Sequence, residues 1–368
     1  MREFEDGPGR DIAASVSTLV PVSPAVVQLG EASIAGNTRR AYQGDLRSFV
    51  AWCSAAGRPH LPASPETVAE YLADRAGILN TAGEWRYAPS TLARALAAIN
   101  AAHAEQNLPL PGHSALVTRT LQGIRRDRQR PTRQADPLLL SDIQAVLDRI
   151  DVTVWPDGVT GVRDRLLILL GWAGAFRRSE LTELRLEDVV RHRQDGLHVR
   201  VRRSKTDQVG KGLVKAVPYG REPLTCGPCA WMRWLRILAA AGEGRSAVMR
   251  VLFTDDPAAH VCRSTLPTLP GQAPLLRRMH KSGLPTENPL AAQSVNLIVK
   301  RRVTAVGFDP VRYSAHSLRA GFVTEALRQG ATTHAVMRQT GHRLAATVEI
   351  YARERDPLTG NAVTTLGL

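Results

Sequence analysis

Between residues 38 and 128 the chain reads as four helical stretches, Thr38 to Ala56, Pro65 to Arg75, Ser90 to Gln106 and Ser114 to Arg128, with the breakers collected at Gly57 to Ser64 and Leu108 to Gly112. That arrangement predicts an all-helical bundle over residues 34–130. Residues 1–33 are rich in Ala, Val, Pro and Ser with little periodicity, and are expected to be a flexible N-terminal segment. Gln129 to Pro137 reads as a basic, Pro-flanked connection, with the linker placed at 131–137, and Leu138 to Ile150 begins a second domain running to residue 355. A tail, 356–368, follows.

In the second domain the pattern changes character several times. Arg163 to Val190 reads as two helices joined at Ala175 to Arg178, the first apolar enough to be a buried core helix but too short in its apolar run to span a bilayer. Leu197 to Thr206 alternates as a strand does; Gly210 to Gly212 then makes a turn and Val214 to Pro218 returns. Ser314 to Gln329 is helical in pattern, with Ser314 or Ser317 as cap, Ala320, Val323, Ala326 and Leu327 on one face, and Gly330 as the stop. The fold class expected is mainly α: a helical bundle, then a mixed α+β domain with one small antiparallel sheet.

The chemistry sits near the carboxy terminus. His316 and Arg319 stand three apart on that helix and so share a face. His342 follows a glycine, and Tyr351 lies nine positions later. At about 100° per residue those two point to opposite sides of one straight helix, so the chain must break between them, near Arg343 to Ala346, for both to converge. A tyrosine hydroxyl is a weak nucleophile that its surroundings must activate. A phosphate under attack gathers negative charge, which Arg and His donors stabilise. Taken singly, each feature has a plainer reading: a solvated helix face, a C-cap, a core tyrosine. Upstream, Arg177 and Arg178 follow the apolar helix directly, and Ser179 with Glu180 opens the next one with an acidic first turn.

Gly-Ala-Phe-Arg-Arg-Ser-Glu-Leu at 174–181, His-Ser-Leu-Arg at 316–319, and Gly-His followed by Tyr351 together resemble the signature of the tyrosine recombinases, the phage integrase family. Asn37 to Cys53 is similar to the first helix of the core-binding domain in Cre-like and Xer-like members, so the resemblance runs over roughly residues 34–368. It implies a core-binding bundle and a catalytic domain closing on duplex DNA as a clamp. Carried over by position, Arg177 matches the first catalytic arginine, Glu180 its acidic support, His316 and Arg319 the HxxR pair, His342 the His-or-Trp position and Tyr351 the nucleophile. The family's hairpin lysine falls on Lys205, with Lys211 and Lys215 as lesser alternatives. The implied reaction leaves a 3′-phosphotyrosyl link, with no metal and no nucleotide cofactor, because side chains supply the cations and the covalent link conserves the bond. Implied partners are double-stranded DNA carrying a specific inverted-repeat site and further copies of the chain, a dimer on each site and a tetramer in synapsis, with the tail docking on a neighbour. The stretch Asp255 to Pro289 is longer than the family pattern needs.

Composition agrees with a polyanionic partner. Forty-eight Lys and Arg against 34 Asp and Glu give a net charge of +14. Arg39, Arg40, Arg94, Arg125, Arg126, Arg202 and Arg301 are candidate DNA contacts, and Gln293 and Asn296, like Ser90 and Thr91, are candidates for base edges. The four cysteines make no disulfide framework. Cys226-Gly-Pro-Cys229 mimics a redox pair but lacks a βαβ setting, and its combination with His260 and Cys262 matches no common zinc spacing. The amino terminus has no apolar signal core, so a cytoplasmic, nucleoid-associated protein is expected, with no membrane association. Two rivals remain: a type IB topoisomerase, which would relax supercoils without pairing sites, and a catalytically silent DNA-binding protein, which would form no covalent adduct.

Overall fold

The computed structural model describes residues 23–25, 28, 30, 36–128, 134–202, 212–355, 363 and 366. The expectations for residues 1–22, for 131–133 of the linker, for most of the tail, and for Lys205 and Lys211 fall outside the described residues. The chain divides into two compact units, Met1–Arg133 and Gln134–Leu368.

The first unit is built on four helices, α1 (Gly36–Ala55), α2 (Pro65–Gly77), α3 (Pro89–Glu105) and α4 (Ala115–Asp127). Local chemistry sets their starts. Ser64 Oγ accepts from the Thr67 N–H, with Pro65 and Glu66 in the first turn of α2, and Ser114 caps α4 through the Leu116 N–H. Inward faces contribute Phe49, Cys53, Val68, Leu72, Leu92, Ile99, Val117 and Leu121 to one core. A buried histidine closes the loop before α2: His103 Nε2 accepts from the Ala63 N–H at 2.9 Å while Nδ1 donates to the Ile99 carbonyl at 2.8 Å. That satisfies both ring nitrogens inside the core.

In the second unit α5 (Leu140–Asp148) and the long apolar α6 (Asp157–Ala173) lead into the single-turn α7 (Arg178–Thr182). A three-stranded antiparallel sheet follows, β1 (Val189–His192), β2 (Gly196–Val201) and β3 (Leu213–Val217), with Val189 opposite Val199 and Val199 opposite Lys215. Next come α8 (Gly227–Ala241), α9 (Arg245–Thr254), a hairpin of β4 (Arg277–Met279) and β5 (Pro285–Pro289), then α10 (Ala292–Thr304), α11 (Ala315–Arg328), α12 (Thr333–Thr340) and α13 (Ala345–Arg355). α6 is buried nearly all round, packing on α8 and α11, and Trp234 of α8 is fully buried with its indole N–H on the Leu275 carbonyl at 2.7 Å. No helix is long and apolar enough to cross a membrane.

Two expectations need correction. The unit carries two small sheets, not one, because the long 255–289 segment ends in the β4–β5 hairpin. The second of the two helices read between Arg163 and Val190 is only five residues long. After it the backbone is taken up by the same long segment: the Leu275 N–H donates to Leu184 O, and the Leu186 and Glu187 N–H groups donate to Ala273 O and Gly271 O. The β-branched pair Val189 and Val190 then enters β1.

Candidate active site

Five parts of the second unit bring the candidate residues together: the turn after α6, strand β3, helices α11 and α13, and the connection between α12 and α13. α11 is seated firmly. Ser314 Oγ accepts from the His316 N–H, Asn296 Oδ1 accepts from the Ala315 N–H at 2.9 Å, and the Leu138 N–H donates to Ser317 O at 3.0 Å. Gly321 lies directly against the Leu138 backbone, where an ideal Cβ would stand 2.6 Å from the carbonyl carbon. His316 and Arg319 therefore project from a helix fixed at both ends of its first two turns.

The turn after α6 is the second support. Ala175 adopts φ +47°, the left-handed region that costs an L-residue on the order of 1 kcal/mol. The contorted turn aims its carbonyls inward, where Lys215 Nζ donates to Gly174 O at 2.9 Å and Ala175 O at 3.0 Å, and Arg319 Nη1 donates to Ala175 O at 2.7 Å. Arg177 follows, its backbone N–H and guanidinium both bonded to Glu180, at 3.0 and 2.6 Å. Glu180 Oε2 also lies 3.4 Å from Lys215 Nζ. Burial pushes the Glu180 carboxyl up, but Lys215 and then Arg177 outweigh it, and the group ends below its usual range.

Arg319 is held on three sides. Besides Ala175 O, Nη1 donates to Thr340 O at 2.8 Å, and Nη2 donates to His342 Nε2 at 2.8 Å. That makes His342 Nε2 an acceptor, so its proton is on Nδ1, 2.9 Å from Thr340 Oγ1, whose own hydroxyl donates to Val336 O at 2.8 Å. Tyr351 ends the arrangement: its hydroxyl is 2.8 Å from His316 Nε2, and its ring centroid lies 6.2 Å from that of His342. α12 stops at Gly341, which takes φ +72°, and α13 restarts at Ala345. The break that the nine-residue spacing demanded is thus Gly341–Leu344, and the tyrosine rides its own helix.

The electrostatics of this cluster are lopsided. Burial, then repulsion from Arg177, lowers Arg319 to about 10; burial lowers Lys215 to about 7 despite Glu180; burial and Arg319 lower His342 to about 3. His316 is lowered by the crowding protein around its ring and then by Arg319 and Arg177, although the residue as a whole is exposed. The charged form of all four groups is disfavoured, and among the described residues Glu180 is the carboxylate that opposes this. A cleft of about 250 Å³, lined by Phe176, Arg177, Arg178, Asn296, Ser314 and His316, opens beside them.

The structure thus brings together Arg177, Glu180, His316, Arg319, His342 and Tyr351. Lys215, a lesser alternative in the sequence, is wholly buried in the same network. Sequence reasoning missed Thr340, which fixes the His342 tautomer. It also missed Gln339, whose amide nitrogen bridges Ala173 O and Ala216 O at 2.8 and 2.7 Å. The candidate DNA contacts divide. Arg39, Arg40, Arg125 and Arg126 are exposed on helix surfaces. Arg94 grips Asp45 with two bonds, at 2.7 and 3.1 Å. Arg202 pairs with Asp188 and Glu187, and Arg301 donates to the fully buried Asp164 at 2.7 Å, alongside Arg163 and Arg302. Gln293 accepts from Arg178 and Asn296, and Asn296 caps α11.

Comparison with known proteins agrees with this geometry. Residues 29–105 match the model of the phage integrase N-terminal SAM-like domain, and residues 247–357 match that of the phage integrase family, which takes in His316, Arg319, His342 and Tyr351 but not Arg177. The chain is 30% identical over 336 residues to an integrase/recombinase xerD homolog of Selenomonas ruminantium, covering 90% of this chain and 86% of that protein. It is 28% identical over 332 residues to the tyrosine recombinase XerD of Xanthomonas campestris pv. campestris, covering 87% and 83%. Among solved structures, the Tn1549 transposon integrase shares the fold with a TM-score of 0.51 at 17% identity, over 89% of this chain and 92% of that one. The chain belongs to the phage integrase family, the tyrosine recombinases.

Proposed function

We propose that this tyrosine recombinase cuts and rejoins duplex DNA at a specific site through a covalent bond to Tyr351. The observation that carries the reading is the Tyr351 hydroxyl 2.8 Å from a neutral His316, beside an arginine anchored by two carbonyls and a histidine. The tyrosine oxygen attacks the scissile phosphorus and its proton passes to His316 Nε2. The bond from phosphorus to the 5′ oxygen breaks, leaving a 3′-phosphotyrosyl link and a 5′-hydroxyl. Lys205 is the donor assigned to the departing oxygen, from its place in the β2–β3 connection. Attack by the 5′-hydroxyl of another strand reverses the step and completes exchange.

Arg177 and Arg319 hold the non-bridging oxygens, each through donors that the anchoring bonds leave open, since a guanidinium offers five N–H groups. His342 acts first through Arg319. With Nε2 accepting from Arg319 it positions the guanidinium, and it reaches a phosphate oxygen only after that bond is exchanged. Lys215 is a positioning residue for the Ala175 turn and Glu180. The solved Tn1549 integrase is in complex with transposon right end DNA, and a lambda integrase dimer is bound to a core site. Those complexes support duplex DNA as the partner here, with two protomers on a site; an inverted repeat and four protomers in synapsis complete the proposal. The work belongs in the cytoplasm, at the nucleoid.

The test is a nicked suicide duplex carrying the target site, selected beforehand from a random pool. The wild type accumulates a denaturant-stable protein–DNA adduct and Tyr351→Phe accumulates none. An adduct that persists in Tyr351→Phe would remove the tyrosine from its assigned role.

A further inference from the structure

The 255–289 segment, longer than its family needs, carries a second cluster that the recombination chemistry does not use. Cys226 and Cys229 at the start of α8 meet His260 and Cys262 from the following loop, and the four potential ligand atoms all lie within 4.8 Å of one another. Cys229 Sγ is 3.3 Å and Cys262 Sγ 3.9 Å from His260 Nδ1. We propose that these four residues hold a structural zinc ion that ties the 255–274 loop to the end of β3 and the first turn of α8.

Three features of the surroundings support a metal over a chance meeting of thiols. His260 Nε2 lies 3.0 Å from the Arg221 carbonyl and donates to it, which leaves the Nδ1 lone pair aimed at the sulfurs. A second hydrogen bond that fixes tautomer and ring orientation is the usual companion of a metal-bound imidazole. The Gly220 N–H donates to Cys226 Sγ at 3.3 Å, and a Cβ at Gly220 would come within 2.7 Å of Cys226 Cα, so the backbone wraps the sulfur at a distance only glycine permits. The third feature is size. Tetrahedral zinc with sulfur at about 2.3 Å sets its ligand atoms about 3.8 Å apart, which this cluster accommodates. A disulfide would demand about 2.05 Å, and all four cysteines of the chain are free thiols.

Chemistry selects the ion and its role. Three soft sulfurs and one imidazole in a tetrahedral set favour zinc, and four protein ligands leave no open position for a substrate. The loop has reason to need the ion, for polar contacts do much of its anchoring: buried Arg233 donates to Asp256 O and Ala259 O at 2.6 and 2.8 Å, and Arg191 donates to Cys262 O and Ser264 O at 3.0 and 2.6 Å. The far end of the same loop supplies the carbonyls that receive Leu186 and Glu187. Zinc at the near end would thus fix the approach to β1 and β3. The sequence offered these four residues only at a spacing that matches no common zinc pattern, because a helix start and an irregular loop share no period.

The full-length protein, purified without chelator, is to be assayed for metal by mass spectrometry and for thiols by Ellman titration, then stripped and reloaded with Zn²⁺ or Co²⁺. We expect one zinc per chain in the wild type and in Cys53→Ser, none in Cys229→Ser, and on the order of tenfold faster proteolytic nicking within 255–274 after stripping. Co²⁺ in the wild type should give the absorption of a sulfur-rich tetrahedral site, a readout independent of whether any variant folds. Reduced wild type that takes up no stoichiometric zinc, a Cys226–Cys229 disulfide in its place, or zinc retained by Cys229→Ser overturns the proposal.

Discussion

Gly321→Ala tests whether the seat of α11 controls the chemistry. The added methyl would stand 2.6 Å from the Leu138 carbonyl carbon and 2.9 Å from its nitrogen, with the carbonyl oxygen nearer still. Leu138 cannot retreat, for its N–H is bonded to Ser317 O and its carbonyl accepts the Trp172 indole at 2.8 Å. Ordinary contact returns only if α11 moves by roughly 1 Å, and overpacking of this kind costs about 1–3 kcal/mol. The same displacement acts on Arg319, bonded at 2.7 and 2.8 Å, and on His316, 2.8 Å from the nucleophile. Lengthened by about 1 Å these are no longer hydrogen bonds. A misplacement of that size lowers the rate about 100-fold.

The assay is single-turnover adduct formation on the suicide duplex at saturating protein, read beside thermal unfolding. Gly123→Ala is the matched control: Gly123 lies inside α4 with nothing within 4 Å of a Cβ, so alanine there should stabilise by about 1 kcal/mol and leave cleavage unchanged. Gly321→Ala with wild-type cleavage and wild-type melting would show that the close approach of α11 to Leu138 has no bearing on the site.

Three further outcomes follow from the same geometry. Lys215 in the folded chain titrates near 7 against an ordinary 10.5, so the unfolded chain binds the extra proton in that interval and stability rises with pH across it, by about 1.4 kcal/mol for each pKa unit; urea titrations of Lys215→Met should lack that rise, and an unaltered slope would contradict the assignment. His316, lowered by its surroundings, must be neutral to take the tyrosine proton, so the adduct rate should fall toward acid with a midpoint below 6.5, and a midpoint above that value argues against His316 as the base. Asn296→Ala removes a cap from α11 and should cost about 1 kcal/mol and slow cleavage while leaving the selected DNA consensus intact; a changed consensus would return Asn296 to the base edge.

Periodicity and capping chemistry made most helices legible. Ser64-Pro65-Glu66, Ser114 and Ser314 each mark a start that the structure keeps within a residue. The need for a break between His342 and Tyr351 was arithmetic, and a left-handed glycine supplies it. Lys215 was harder to read, since a lysine in a strand suggests an outward residue. Yet Leu213, Lys215 and Val217 alternate on one face, so the period of two already placed this lysine with the apolar side. The β4–β5 hairpin was not legible, because Pro285 to Pro289 offers proline, glutamate and asparagine where a buried strand would show apolar residues. Nor were the intramolecular partners of Arg94, Arg202 and Arg301, for an arginine bound to a carboxylate distant in sequence looks the same as one facing solvent.

Positive charge crowds this site. Lys215 and Arg319 converge on the carbonyl of Ala175, a residue held in a conformation it would not choose alone, and Arg177 follows two positions later. Among the described residues Glu180 is the carboxylate that stands against them, and it is already shared between Arg177 and Lys215. Burial is the larger cause of the depressed values of Arg319, Lys215 and His342, and repulsion among the cationic groups adds to it. A cluster of perturbed groups of one sign is the arrangement expected where an anion is to be bound. On the proposed mechanism a phosphodiester brings negative charge to these groups, and attack by Tyr351 would increase it. Stabilisation is then greater in the transition state than on first binding, which is the condition for lowering a barrier and not merely for holding DNA.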